Sequence, residues 1–290
     1  MEDLIKRAAR DLAAASHAIA LTGAGISTES GIPDFRGPDG LWTKHPEAER
    51  QAYEAYDQLV RDPKRHWERS LEPDSFYRIF EEIGRLDPNR GHAALAELEQ
   101  MGILKAVLTQ NVDGLHQKAG SRNVLEYHGG VAKLRCMSCG ARFPKSEFDL
   151  DRLKAEDRLP PRCPKCHGVL KGDGVYFGES IPSDVAEASV EEALACDLML
   201  ICGTSAVVYP FAELPRIARN KRAYSRRWGG LGPPADPVPT NVTINDVNAA
   251  PTPQTQERTS SYFIQGQTGD ILPRIAAEVR KLRGRQGETA

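Results

Sequence analysis

The chain has 290 residues and a formal net charge of -2, with a pI near 6.4, a balance that gives no general attraction to nucleic acid or to an anionic membrane surface. Its longest apolar run, Leu198-Met199-Leu200-Ile201-Cys202, is far short of the roughly 20 residues that span a bilayer, and the amphipathic start MEDLIKRAARDLAAAS has no secretory core. The expectation is a cytoplasmic protein, with a nuclear address open if the source is eukaryotic, and with neither membrane nor nucleic acid as a direct partner.

In chain order, residues 2 to 15 place Leu4, Ile5, Ala8 and Leu12 on one helical face, and residues 17 to 21 read as a buried strand that runs into Gly23-x-Gly25. Residues 38 to 90 change character: charge and helix formers dominate, with aromatics such as Trp42, Tyr53 and Trp67 between them, which predicts a helical module. Alternation then resumes with a helix over 92–101 and strands over 104–108 and 124–127. Residues 131 to 175 interrupt it again with cysteine pairs and prolines. A helix over 184–195, strands over 198–202, 242–245 and 262–265, and a closing helix over 271–282 complete the series. The stretches 225–240 and 250–260 read as loops from their Pro, Gly and Thr content.

Strands that alternate with helices, several of them apolar on both faces, predict an α/β fold with a doubly wound, Rossmann-like parallel sheet. Residues 1–37, 91–130 and 176–290 form the large domain in this reading. The helical module, 38–90, and the cysteine-rich module, 131–175, make an inserted small domain.

The cysteines give the most specific signal that the residues carry by themselves. Cys136-x-x-Cys139 and Cys163-x-x-Cys166 offer four thiolates in two knuckles, the donor set of a closed, structural Zn2+ site. A redox dithiol is the alternative, although two such pairs in a Pro-rich ribbon do not look like a thioredoxin site. Cys196 and Cys202 lie in apolar surroundings and read as packing residues.

A strand that ends in Gly23-x-Gly25 suits close approach of a diphosphate to backbone N–H groups, and equally suits a merely tight turn. The next glycine is Gly31, too late for the hydride-transfer fingerprint, and Leu41-Trp42-Thr43-Lys44-His45-Pro46 stands where that fingerprint needs a strand ending in an acid. A dinucleotide bound here is not bound in the dehydrogenase manner.

The segment GAGISTESGIPDFRG (23–37) resembles the signature of the sirtuins, NAD-dependent protein lysine deacylases. The rest follows in that family's order: TQNVDGLH (109–116), His128-Gly129, the cysteine pairs, Phe177-Gly178-Glu179 and Gly203-Thr204-Ser205. The resemblance implies NAD as a consumed co-substrate, held by Gly23, Ala24, Gly25, Ile26, Asp34, Phe35, Arg36, Trp42, Gln110, Gly203, Thr204, Ser205, Asn245, Asp270 and Ile271. It implies that Asn111 and Asp113 hold the nicotinamide carboxamide, that His128 is the base toward the ribose hydroxyls, and that Phe35 keeps water from the ribose carbon. Taken alone, Asn111-Val112-Asp113 reads more readily as a turn, His128 as a structural hydrogen bonder and Phe35 as a local staple.

The same resemblance predicts that an acylated-lysine protein lies as an added strand against Val112, Val175, Phe177, Gly178, Glu179 and Val207. Ser70 and Pro73 stand where acidic-acyl enzymes of the family carry Tyr and Arg, which leaves deacetylation as the first choice of reaction. Val247 stands where a glutamate is usual, two positions after the expected ribose contact Asn245. ADP-ribosyl transfer or NAD hydrolysis at the same site is the competing reading, and a non-catalytic NAD-sensing zinc module is the third.

Overall fold

The computed structural model describes residues 1–287 apart from 36, 38, 39, 74, 76, 77, 79–81, 222–241 and 258. Nine strands are present among them: β1 (Ala18–Thr22), β2 (Leu104–Thr109), β3 (Val124–Glu126), β4 (Lys133–Cys136), β5 (Arg142–Pro144), β6 (Leu170–Gly172), β7 (Leu198–Cys202), β8 (Thr243–Asn248) and β9 (Tyr262–Gln265). Six of them form one sheet in the order β3-β2-β1-β7-β8-β9, every neighbouring pair parallel.

Both faces of that sheet are covered, and the alternation of side chains along each strand explains how. Ala18 and Ala20 of β1 turn to a core that takes Ile5, Ala8 and Leu12 from the helix Glu2–Ala14, Leu95 and Leu98 from Arg90–Gln100, and Leu272, Ile275 and Val279 from Thr268–Gly287. Ile19 and Leu21 turn the other way, to Val190 and Ala193 of Ser183–Ala195 and Leu214 and Ile217 of Leu214–Arg219. Each Val, Leu or Ile side chain so buried contributes about 1.5–3 kcal/mol, and each alanine methyl about 0.8 kcal/mol. Cys196 and Cys202 belong to these cores with no exposure. Burial pushes the Cys196 thiol up to about 12 and that of Cys202 well above its ordinary value, so both are inert packing groups.

Two elements bear on the site where they differ from the sequence reading. Asn245-Asp246-Val247-Asn248 looks like turn chemistry, yet it continues β8 with every residue buried, because β7 and β9 pair with it on both sides. The closing helix starts at Thr268, three residues before the predicted Ile271. A short helix, Pro253–Gln256, capped by Thr252, lies inside the stretch read as a loop. The 225–240 segment falls outside the described residues.

The other three strands form an antiparallel sheet, β5-β4-β6. Its core joins Leu134, Cys136, Leu150, Cys163 and Leu170 to Trp67 and Leu71 of the helical module. The Trp67 indole, 1% exposed, donates from Nε1 to the Leu170 carbonyl at 2.8 Å, so the two inserted segments pack as one unit. Among the described residues no helix is long and apolar enough to cross a membrane.

Candidate active site

In a doubly wound sheet a crevice opens beyond the carboxyl ends of the strands where the winding reverses, which here is between β1 and β7. A cleft of about 1950 Å3 lies at that place and runs on to the small antiparallel unit. The two strand ends meet through glycine. Gly25 N–H donates to the Gly203 carbonyl at 2.8 Å, a Cβ on Gly25 would lie 2.7 Å from that oxygen, and Gly203 has φ +61, where a Cβ would lie 2.2 Å from the Ile26 nitrogen. Only glycine fits both positions. Ala24, Gly25, Gly203, Thr204 and Ser205 line the cleft, while Ile26 is wholly buried in the core beneath it.

The next strand end brings Gln110, Asn111, Val112 and Asp113 to the same wall. Gln110 Oε1 accepts from the Thr204 hydroxyl at 2.8 Å, which ties β2 to β7 across β1. Asn111 Nδ2 donates to the Gly23 carbonyl at 3.1 Å and to Ser27 Oγ at 2.9 Å. The Ser27 hydroxyl in turn donates to Asp113 Oδ2 at 2.7 Å, and Asp113 Oδ1 accepts from Leu115 N–H. Ser27 has no exposure, and its hydroxyl also lies 3.4 Å from His92 Nε2. It was absent from the expected site although it stands inside the GAGIS segment. Its hydroxyl fixes both the amide and the carboxylate of Asn111-Val112-Asp113, the triplet that alone resembled a turn.

His128 follows β3 and lines the cleft. Its Nδ1 lies 3.1 Å from the Gln110 carbonyl, an oxygen that only accepts, so the proton sits on Nδ1 and Nε2 keeps its lone pair. Burial lowers the pKa, against the smaller opposing effect of that hydrogen bond, and keeps the ring neutral near pH 7. The following Gly129 has φ +73, and a Cβ there would collide with the Asp173 carbonyl. The chain can therefore press the segment 173–175 against His128, whose carbonyl accepts from Val175 N–H at 2.8 Å.

Asp34 and Phe35 cross the cleft on the segment after the glycine turn. Asp34 Oδ1 accepts from Gly37 N–H at 2.7 Å and its carbonyl from Leu41 N–H, a loop-ordering contact. Phe35 packs on Trp42 with ring centroids 4.7 Å apart, Trp42 on Phe177 at 5.5 Å, and Phe177 on Tyr53 at 4.3 Å. This aromatic wall joins the glycine segment to the Phe177-Gly178-Glu179 turn. Val175, Phe177, Gly178, Glu179 and Val207 all line the cleft. Arg36 lies outside the described residues.

The expected contacts on the far side need correction. Asn245 is in the middle of β8 with no exposure and is not among the cleft-lining residues. The residue at the strand's carboxyl end that does line it is Asn248. The departure expected at Val247 moves with it: Val247 is core, and the position two after Asn248 is Ala250. Asp270 is exposed and Ile271 is core, because the helix has already begun. Gly266, Gln267 and Thr268 line the cleft in their place, and Thr268 Oγ1 is a buried hydroxyl without a protein partner.

The four cysteine sulfurs lie within 4.8 Å of one another, with Cys136 to Cys166 at 3.5 Å and Cys139 to Cys163 at 3.8 Å. Sulfurs about 3.8 Å apart are what a tetrahedron with Zn–S near 2.3 Å requires, and they are far too distant for an S–S bond near 2.05 Å. The donors fit one Zn2+.

Comparison with known proteins agrees with this geometry. The family profile described as SIR2, the Sir2 family, matches residues 23–210. The "NAD-dependent protein deacylase 2" of Pyrobaculum aerophilum is 43% identical over 280 residues, 96% of this chain and 97% of its own. A solved structure described as a Sir2 homolog–NAD complex aligns at 35% identity with a TM-score of 0.70, over 97% of this chain and 94% of its own. Another, Sir2Af2 bound to a myristoylated histone peptide, aligns at 37% identity with a TM-score of 0.66, over 98% and 100%. A match that begins at the first glycine turn and runs through the paired cysteines to the loop after β7 makes the chain a member of the Sir2 family.

Proposed function

We propose that this chain is an NAD-dependent protein lysine deacylase, with His128 as its general base and Asn111 and Asp113 as the holders of the nicotinamide carboxamide. The observation that carries the reading is the His128 ring. Tied at Nδ1 to the Gln110 carbonyl and favoured in its neutral form by burial, it leaves Nε2 free to accept a proton in a cleft that it shares with Asn111, Asp113 and Phe35. NAD, when bound, supplies the glycosidic bond to be broken and the ribose that receives the acyl group.

The protein's own part is positioning and exclusion of water. Asn111 and Asp113 are locked by Ser27, so their orientation is set before a ligand arrives, which lowers the cost of binding. Phe35, Trp42 and Phe177 close the wall on the side of the cut bond. Glycine turns 23–25 and 203–205 admit the diphosphate, and Asn248, Gln267 and Thr268 take over the adenosine side from Asn245, Asp270 and Ile271. An acylated-lysine protein enters as an added strand between 174–179 and 205–209, with Val112, Val175, Phe177, Gly178, Glu179 and Val207 beside it.

The acyl group favoured is short and uncharged. The Ser70 hydroxyl is committed to the His66 carbonyl at 2.8 Å, and neither it nor Pro73 offers a charge to an acidic acyl chain. The myristoylated peptide carried by a relative supports room for longer aliphatic chains as well. One Zn2+ held by Cys136, Cys139, Cys163 and Cys166 is structural and takes no part in the cleft. The chain divides into a large domain of 1–37, 91–130 and 176–290, and a small one of 38–90 with 131–175.

The test compares wild type with His128→Ala on an acetyl-lysine peptide and NAD. Loss of at least about 100-fold in turnover, with the fold intact by circular dichroism, is expected of a missing general base. A variant that deacetylates within fivefold of wild type overturns the assignment.

A further inference from the structure

β8 contains a carboxylate that the site as described leaves without a role. Asp246 has no exposure, and a buried charge is costly unless every lone pair is engaged. Here three neutral donors engage it: Oδ2 accepts from the Thr252 hydroxyl at 2.6 Å and the Thr255 hydroxyl at 2.8 Å, and Oδ1 accepts from Asn248 Nδ2. All three partners lie on the segment that follows Asp246. Asn248 and Thr252 line the cleft, together with Ala249, Ala250 and Pro251.

The orientation of one amide follows. Asn248 Nδ2 donates both to Asp246 and to the Thr204 carbonyl at 3.3 Å, so both of its hydrogens are used. A carboxylate can only accept, and it therefore holds the NH2 of Asn248 inward and leaves Oδ1 as the side chain's remaining polar atom at the cleft. A neighbour able to donate would permit the amide to turn over. The two threonines meanwhile fix the first turn of Pro253–Gln256, with Thr252 as its cap, and so set the path of 249–252 along the wall.

We infer that Asp246 is a positioning residue for NAD: it presents the Asn248 oxygen as an acceptor for ribose hydroxyls and holds the 249–252 segment in place, without touching the ligand. The inference rests on the reading of the cleft as an NAD site.

The experiment measures KM for NAD, KM for an acetyl-lysine peptide, and kcat, in wild type, Asp246→Leu and Asp246→Asn. Asp246→Leu removes the acceptor and is expected to raise KM for NAD at least tenfold, with kcat and the peptide KM within twofold. Asp246→Asn can face Asn248 with either an acceptor or a donor and so lets the amide turn over without removing the acceptor, and its KM for NAD is expected to lie between those of wild type and Asp246→Leu. A KM for NAD within twofold of wild type in Asp246→Leu overturns the inference, as does a rise matched by equal changes in kcat and the peptide KM. If Asp246→Leu does not fold, the paired substitution Thr252→Val with Thr255→Val decides: a rise of threefold or more in KM for NAD upholds the role, and an unchanged value removes it. Wild type without NAD-dependent turnover sinks the underlying NAD reading, and that failure is visible before any variant is compared.

Discussion

His128 lines the cleft while His92 and His116 are buried in the protein, and burial is the main reason that the pKa of each is lowered toward the neutral form. His92 and His116 face each other at 4.9 Å between ring centroids. Burial pushes His116 down to about 3, helped by His92. It pushes His92 down to about 4, with Asp113 pulling the other way. A histidine whose folded pKa lies below its unfolded 6.5 binds fewer protons in the folded state, so stability rises with pH through the interval between the two values. Above about pH 6.5 both states are neutral and the contribution is complete; it is lost as the pH falls toward 4. Denaturant melts of wild type are expected to show unfolding free energy nearly level from pH 8 to 7. For His116 alone the fall between 6.5 and 4 is on the order of 3 kcal/mol, since taking up a proton in only the unfolded state is worth about 1.4 kcal/mol for every tenfold rise in proton concentration. His116→Asn, which cannot take up that proton, is expected to lose correspondingly less than wild type over the same range. Equal losses in the two proteins would show that His116 is not held neutral by the fold.

At the scale of elements, the zinc ribbon shows how much a short spacing can disclose. Two Cys-x-x-Cys pairs indicated the four donors without reference to any relative, because thiolate geometry tolerates few arrangements. The strand β8 shows the opposite. Asn245-Asp246-Val247-Asn248 has the composition of a turn, and only its pairing with β7 and β9 makes it a buried strand. That pairing is non-local and leaves no mark in the local sequence, so Asn245, the expected ribose contact, lies buried within the strand and Asn248, three residues on, lines the cleft. Ser27 was missed for a related reason: its importance lies in joining Asn111 and Asp113, which are remote in sequence. The ribbon itself yields a measurable consequence. Trp67 is 1% exposed and shares a core with Cys136 and Cys163, so removal of one Zn2+ per chain by a chelator is expected to shift tryptophan emission to the red and abolish turnover, with recovery on zinc addition. Emission and activity unchanged in a metal-free protein would contradict a structural role for the ion.

At the scale of the molecule, the doubly wound sheet and its cores were legible from hydrophobic pattern, since strands buried on both faces read as apolar runs. The cleft was legible in outline, because strand ends at a switch point are where such a sheet binds ligands. Its aromatic wall was not, because Phe35, Trp42, Phe177 and Tyr53 come from separate segments and meet only through packing. The assembled cleft joins the carboxyl ends of β1, β2, β7 and β8 to the segment 174–179, and in the proposed reading NAD fills the first part and the acylated peptide the second. The most direct test is product analysis by mass spectrometry with wild type, NAD and an acetyl-lysine peptide, run with and without the peptide. The expected result is one nicotinamide released per lysine deacetylated, the acetyl group recovered on ADP-ribose, and little nicotinamide in the absence of peptide. Nicotinamide released at the same rate without peptide, or ADP-ribose attached to protein while the peptide keeps its acetyl group, would contradict deacylation as the function of this chain.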